Sequence, residues 1–310
     1  MKILVTGGAG FIGGHIAAAY IEAGHEVVVV DDLSTGKRAN LHPRAKFYQL
    51  DVQDPKLAEV MAAERPQVIN HHAAQMDVRK SVADPVFDAR VNIIGLLNLM
   101  EAGRANGVQR VIFASSGGTV YGEQTAFPAT EEHKNDPLSP YGIAKLASEK
   151  YLFFYAETYG ISYVALRYAN VYGPRQDPHG EAGVVAIFSE KLLRGEQPVI
   201  NGDGKQTRDY VYVKDVVRAN LLCLEKDFRG ALNIGTGIES DVNELFAILR
   251  RHAGSDAPEK HGPAKPGEQR RSVLDPSLAG RVLGWRPTVN LADGLKETVE
   301  FFRQKVAAGS

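Results

Sequence analysis

Short apolar runs alternate with amphipathic helical stretches along most of the chain. Lys2 to Thr6, Glu26 to Val30, Lys46 to Asp51, Gln67 to His72, Gln109 to Ser116 and Ser162 to Tyr168 are rich in β-branched or aromatic residues and end in turn formers. They read as strands. Between them, His15 to Ala23, Pro55 to Ala63, Asp84 to Asn106 and Tyr141 to Tyr159 carry helical periodicity. Strands separated by helical crossovers imply an α/β fold with a doubly wound parallel sheet. Farther on come a polar turn entering a strand (Gly202 to Val213), helix Lys214 to Glu225, strand Ala231 to Gly235, helix Asp241 to His252, a Pro/Gly-rich loop from Ala257 to Gly267 and an amphipathic helix from Leu291.

The 310 residues, 44% hydrophobic and 24% charged, are enough for one large α/β domain or two smaller units. A formal charge of −1 offers no field for nucleic acid or an anionic membrane, so an anionic ligand must be held by local groups. No apolar stretch approaches the roughly 18 residues that span a bilayer. The chain opens on a strand with no charged-then-apolar leader, so the cytoplasm is the expected compartment. The single cysteine, Cys223, lies in an apolar helical run and reads as core packing; an internal disulfide is excluded.

The first strand runs directly into Gly7-Gly8-Ala9-Gly10-Phe11-Ile12-Gly13-Gly14 and then a helix. Gly8, Gly10 and Gly13 fit G-x-G-x-x-G, and Gly7, Gly10 and Gly13 fit G-x-x-G-x-x-G. Either lets the backbone approach a pyrophosphate at the helix N-terminus. The second strand ends in Asp31-Asp32, which places a carboxylate 18 residues after Gly13, in reach of the adenosine ribose hydroxyls. A carboxylate there repels a 2′-phosphate, so NAD is expected rather than NADP.

Ser139-Pro140-Tyr141 to Lys150 begins a helix in which Tyr141 and Lys145 share a face one turn apart. A free phenol with a pKa of about 10 is a poor base, but a neighbouring ammonium favours the phenolate and makes the pair a candidate proton-transfer device. Taken alone, the spacing also fits a half-buried tyrosine beside a solvated lysine. Ser115 and Ser116 end the fifth strand, where ligands of doubly wound sheets bind, and Gly117 to Gly122 follow as a turn. His71 and His72 are adjacent on a strand, point to opposite faces and read as packing or hydrogen-bonding residues, with no metal site.

With these pieces assembled, the chain resembles the extended short-chain dehydrogenase/reductase family over essentially its whole length. Within that family it is similar to nucleotide-sugar 4-epimerases of the UDP-glucose 4-epimerase type. The matching pieces are Thr6 to Gly13, Asp31, Asp51-Val52, Ala73-Ala74, Asn92, Ser115-Ser116 with Val120-Tyr121-Gly122, Pro140-Tyr141-Gly142-x-x-Lys145, Arg167-Tyr168-x-Asn170-x-x-Gly173-Pro174 and Arg208-Asp209-Tyr210.

The resemblance implies Tyr141 as catalytic acid/base and Lys145 as its tuner and a ligand of the nicotinamide ribose. It puts Asp51 and Val52 against the adenine, with Gly7, Gly10, Phe11, Ile12, Gly13, Asp31, Ala73 and Asn92 completing an NAD site. Arg208 corresponds to the family's diphosphate-binding arginine, and Asn170 falls in its substrate site. The family usually has Ser or Thr where Gly117 stands, which moves the hydroxyl role to Ser116. Lys265-Pro266-Gly267-Glu268 stands where Arg-x-Gly-Asp is more common: Lys265 keeps the charge but loses bidentate geometry, and Glu268 can meet a ribose hydroxyl. Four residues past Glu268, Ser272 takes the place of a size filter and leaves room for an N-acetyl group.

The organisation implied is an NAD-binding Rossmann domain of residues 1–170 and 213–237, with a smaller, C-terminal-weighted nucleotide-sugar-binding domain of 171–212 and 238–310. The implied activity is NAD-dependent interconversion of UDP-glucose and UDP-galactose by a homodimer. Rivals are a UDP-glucuronate 4-epimerase, a 4,6-dehydratase or a decarboxylase, the last two needing an acid that Gly117-Gly118-Thr119 does not supply, and a non-catalytic NAD-binding regulator.

Overall fold

Ile3, Val5, Val27 and Val29 pack on one side of a sheet, while Leu4, Val28, Val30 and Ile69 pack on the other. Successive side chains alternate faces, and both faces are covered by helices, so the central strands are buried almost end to end. The protein is described here by a computed structural model covering residues 1–179, 183–264 and 269–309.

The strands are β1 (Lys2–Thr6), β2 (Glu26–Asp31), β3 (Lys46–Gln49), β4 (Val68–His71), β5 (Arg110–Ser116), β6 (Ser162–Tyr168), β7 (Asn170–Tyr172), β8 (Ile200–Asn201), β9 (Thr207–Tyr212), β10 (Gly230–Ile234), β11 (Glu239–Asp241), β12 (His261–Gly262) and β13 (Arg271–Ser272). The helices are α1 (Phe11–Glu22), α2 (Leu57–Glu64), α3 (Val78–Ala83), α4 (Pro85–Ala89), α5 (Gly95–Ala105), α6 (Pro140–Tyr159), α7 (Val184–Leu193), α8 (Val213–Glu225), α9 (Val242–Ala253), α10 (Ser277–Leu283) and α11 (Leu291–Ala307).

Seven strands form the parallel sheet that the strand–helix alternation implies, in the order β10-β6-β5-β4-β1-β2-β3. β1 pairs with β2 on one side and β4 on the other, Ile3 facing both Val27 and Val68. The chain reverses its direction of winding between β1 and β4, and ligands of such sheets bind outside the carboxyl ends at that point.

β9 organises a second, smaller sheet. It pairs with β11 and β13 through its first half and with β7 through its second. A separate core of Tyr172, Phe188, Tyr212, Phe246, Leu295 and Val299 lies around it. Trp285, from the segment after α10, is buried in the cluster of the large sheet. No helix among the described residues is long and apolar enough to cross a membrane.

Two differences from the sequence reading bear on the site. α1 begins at Phe11, so Gly13 and Gly14 belong to the helix, not to the turn. A Cβ on Gly13 would lie 2.3 Å from the Gly7 carbonyl oxygen, and its absence lets the first turn of the helix close on the glycine loop. The stretch Asp84 to Asn106 is α4 and α5 joined by a π-helical segment, Arg90–Ile94, that contains Asn92. Such insertions recur at functional sites.

Candidate functional site

The glycine loop crosses the carboxyl end of β1 and enters α1. Gly7 has φ +67°, and a Cβ there would lie 2.6 Å from the Ala73 amide nitrogen, so the turn requires glycine. Gly10 caps α1 without a side-chain hydrogen bond, and the first turn has no acidic residue. The amides at that end are therefore not taken up by a capping side chain, and the first turn of the helix itself carries no negative charge. Phe11 and Ile12 are the first two helical residues.

Asp31 ends β2 with its carboxylate almost wholly buried. Its Oδ2 accepts from the Ala9 amide at 2.9 Å and its Oδ1 from the Leu33 amide at 2.8 Å. Desolvation raises its pKa, and these two bonds act against the rise. Asp51 holds the following turn by accepting from the Gln53 amide at 2.8 Å, with Val52 buried beside it. The Ala73 amide donates to Thr6 Oγ1 at 3.2 Å. Asn92 is buried and holds the Gln75 backbone: its Oδ1 accepts from the Gln75 amide at 3.1 Å, and its Nδ2 donates to the Gln75 carbonyl at 2.9 Å and to Asp88 Oδ1 at 3.0 Å. Asn92 therefore shapes the loop after β4. A bare helix N-terminus, a close-packed glycine turn and a buried carboxylate at the end of β2 together fit a dinucleotide.

Opposite this crevice stands the start of α6. Ser139 Oγ accepts from the Gly142 amide at 3.2 Å, and Pro140 occupies the first helical position, which fixes where the helix begins. Tyr141 is half-buried in the first turn. Lys145, 3% exposed, sits one turn deeper with Nζ 5.6 Å from the Tyr141 ring centroid and 4.8 Å from the Phe113 ring of β5. Burial pushes Lys145 down to about 8, with Asp88 and Glu149 acting against the shift, so it remains a cation at neutral pH.

The two serines ending β5 part company. Ser115 is buried and donates to Glu149 Oε1 at 2.5 Å. Glu149 is paired with Arg167, whose Nη2 lies 2.7 Å from Oε2 and whose Nε donates to Oε1 at 3.0 Å. Arg167 in turn donates to the Tyr121 hydroxyl at 3.0 Å, which donates to Asn233 at 2.6 Å. Ser116 points the other way, and its Oγ and Asn170 Oδ1 each lie 4.0 Å from the place a Cβ on Gly118 would occupy. The sequence reading assigned Glu149 no role and named Arg167 only among the residues that carry the resemblance. The signal was the continued i+4 row Tyr141, Lys145, Glu149 on one helix face.

β9 brings the expected substrate residues together. Arg208 is in register with Ser272 of β13, and Asn170 of β7 is in register with Tyr210. Arg208 Nη1 donates to the Thr207 carbonyl at 2.7 Å. Ser272 is 3% exposed. Lys265 and Glu268 lie outside the described residues. His71 is buried and His72 half-buried, with His71 Nδ1 2.7 Å from Thr6 Oγ1 and His72 Nε2 3.1 Å from the Tyr168 hydroxyl. Desolvation pushes both down to about 3, so they are neutral.

The model of the NAD dependent epimerase/dehydratase family matches residues 3–235. The chain belongs to this family. A family member from Mycolicibacterium smegmatis named UDP-glucose 4-epimerase is 48% identical over 312 residues, spanning 98% of this chain and 99% of that one. The crystal structure of a UDP-glucose 4-epimerase from Thermotoga maritima with UDP-glucose superposes with a TM-score of 0.97 at 51% identity, covering 99% of this chain and all of the other. The Thermus thermophilus UDP-glucose 4-epimerase, crystallised with NAD, gives 0.92 at 44% identity over 98% and 99% of the two chains.

Proposed function

We propose that this family member interconverts UDP-glucose and UDP-galactose with NAD held in the crevice between α1 and α6. The observation that carries the reading is the pairing of half-buried Tyr141 with buried, cationic Lys145 at the start of α6. The glycine turn of Gly7, Gly10 and Gly13, with Phe11, Ile12 and Asp31, holds the dinucleotide. Asp51 and Val52 meet its adenine, and Ala73 and the Asn92-supported loop line its far side. The chemistry NAD supplies when bound is reversible hydride transfer at C4, through a 4-keto sugar.

Tyr141 takes the proton of the 4-hydroxyl as a phenolate and returns it to O4 after the sugar has turned over. The ammonium of Lys145 favours that phenolate by charge and bonds the nicotinamide ribose. Ser116 gives a hydrogen bond to O4. Arg208 and Lys265 grip the diphosphate, which lets the sugar turn without leaving, while Asn170 and Glu268 contact the substrate and Ser272 leaves room at C2 for an N-acetyl group. This assigns residues 1–170 and 213–237 to the dinucleotide and 171–212 and 238–310 to the nucleotide sugar. Gly117, Gly118 and Thr119 offer no carboxylate for an elimination, which favours epimerisation over dehydration.

The same reading includes a homodimer in the cytoplasm. Val86, Ile94, Ile143, Phe153 and Phe154 are exposed on α4, the π segment and α6, an apolar face suited to a second copy, and a single buried thiol suits a reducing compartment. Incubation with UDP-galactose and NMR detection of UDP-glucose tests the activity. Sedimentation tests the dimer.

A further inference from the structure

The turn after β5 carries two adjacent glycines with opposite surroundings. A Cβ on Gly117 would meet Leu274 Cδ1 at 2.4 Å, Cδ2 at 2.9 Å and the Arg167 carbonyl oxygen at 3.2 Å. A Cβ on Gly118 would have only Ser116 Oγ and Asn170 Oδ1 within reach, each at 4.0 Å. One side of the turn is filled by Leu274, and the other is open.

Leu274 is held in place from several directions. It is 1% exposed, in the segment leaving β13. Its amide donates to Asp209 Oδ2 at 3.3 Å, and Asp209 also accepts from the amides of Thr236 and Gly237. On its two sides, the Ala129 amide donates to the Val273 carbonyl at 2.9 Å and the Asp275 amide to the Ala129 carbonyl at 2.8 Å. Its Cβ lies 3.1 Å from where a Cβ on Gly235 would stand, so the side chain is wedged between the carboxyl ends of β5 and β10. A leucine whose backbone is fixed in this way does not withdraw without breaking those bonds.

Neither of the other two hydroxyls near the turn is exposed. Ser115 is bonded to Glu149, and Thr119 Oγ1 is buried with no hydrogen-bond partner among the described residues. We propose that Leu274 is a positioning residue that excludes a side chain at 117, holds the 116–119 turn at its height above β5 and leaves Ser116 as the hydroxyl that faces the sugar. The proposal rests on the epimerase reading and adds to it a residue from the substrate-side strand that acts through Ser116.

A kinetic cycle with Leu274→Ala, Ser116→Ala and the double variant tests it. Ser116→Ala is expected to lower kcat about 10–100-fold, the worth of one hydrogen bond to a charged oxygen. Leu274→Ala is expected to lower kcat about tenfold with KM within about twofold, and to lower it no further once Ser116 is alanine. Equal factors in both backgrounds, an unchanged kcat in Leu274→Ala, or full activity in Ser116→Ala each overturn the proposal and leave the epimerase reading standing. Absence of C4 inversion in the unaltered protein sinks the epimerase reading instead. The packing half is read separately by thermal unfolding: Gly117→Ala should lower the unfolding temperature of the unaltered protein and not that of Leu274→Ala, and an equal loss in both contradicts it.

Discussion

Lys145 Nζ lies 5.6 Å from the centroid of the Tyr141 ring, and the two side chains leave α6 one turn apart. Burial pushes Lys145 down to about 8, so its charge is present below that pH and lost above it. In Lys145→Met no ammonium favours the phenolate at any pH. The acid limb of the kcat profile is expected to move to higher pH, and the decline that sets in above about pH 8 in the unaltered protein should disappear. A profile identical to that of the unaltered protein contradicts the tuning role.

Asp31 presents a buried carboxylate fixed by two backbone amides. Asp31→Ala removes both the ribose acceptor and the charge that repels a 2′-phosphate. NAD should bind more weakly, and the preference over NADP should narrow. Equilibrium titration with both dinucleotides checks this, and equal affinity for the two in the unaltered protein speaks against it.

The Glu149–Arg167 pair, with Ser115 and Tyr121 bonded to it, is buried on both sides. Glu149→Gln leaves the Arg167 charge uncompensated in the core, and the expected loss of stability is about 3–5 kcal/mol. Denaturant unfolding measures it. A loss below about 1 kcal/mol, the size expected of an ordinary surface change, would show that the pair is not what holds β5, β6 and α6 together.

Ser272 stands beside Arg208 across the β9–β13 register. The proposal gives it the space for a 2-acetamido group, so UDP-N-acetylglucosamine should be turned over along with UDP-glucose, and Ser272→Tyr should suppress the larger sugar selectively. An unchanged ratio of the two rates in Ser272→Tyr rules this assignment out.

The features legible in the sequence are those with a local period or a fixed spacing. Alternating strands and helices announce the parallel sheet, and Gly7 to Gly13 with Asp31 announce the dinucleotide turn. Tyr141 and Lys145 are one helical turn apart in any α-helix. What could not be read depends on residues distant in sequence: Glu149 meeting Ser115 and Arg167, Asn92 holding Gln75 across a π-helical turn, and Leu274 closing against Gly117. The start of α1 was misplaced because Gly13 and Gly14 read locally as turn formers, while in three dimensions a missing Cβ lets the helix pack on the Gly7 carbonyl.

The central claim is that Tyr141 moves the O4 proton during inversion at C4. The direct measurement is NMR-monitored conversion of UDP-galactose by the unaltered protein and by Tyr141→Phe, each with its NAD content determined. The account predicts that the unaltered protein reaches an equilibrium mixture with UDP-glucose, and that Tyr141→Phe retains NAD but turns over about 10²–10⁴-fold more slowly. Undiminished turnover in Tyr141→Phe, or no inversion by the unaltered protein with NAD bound, would contradict it.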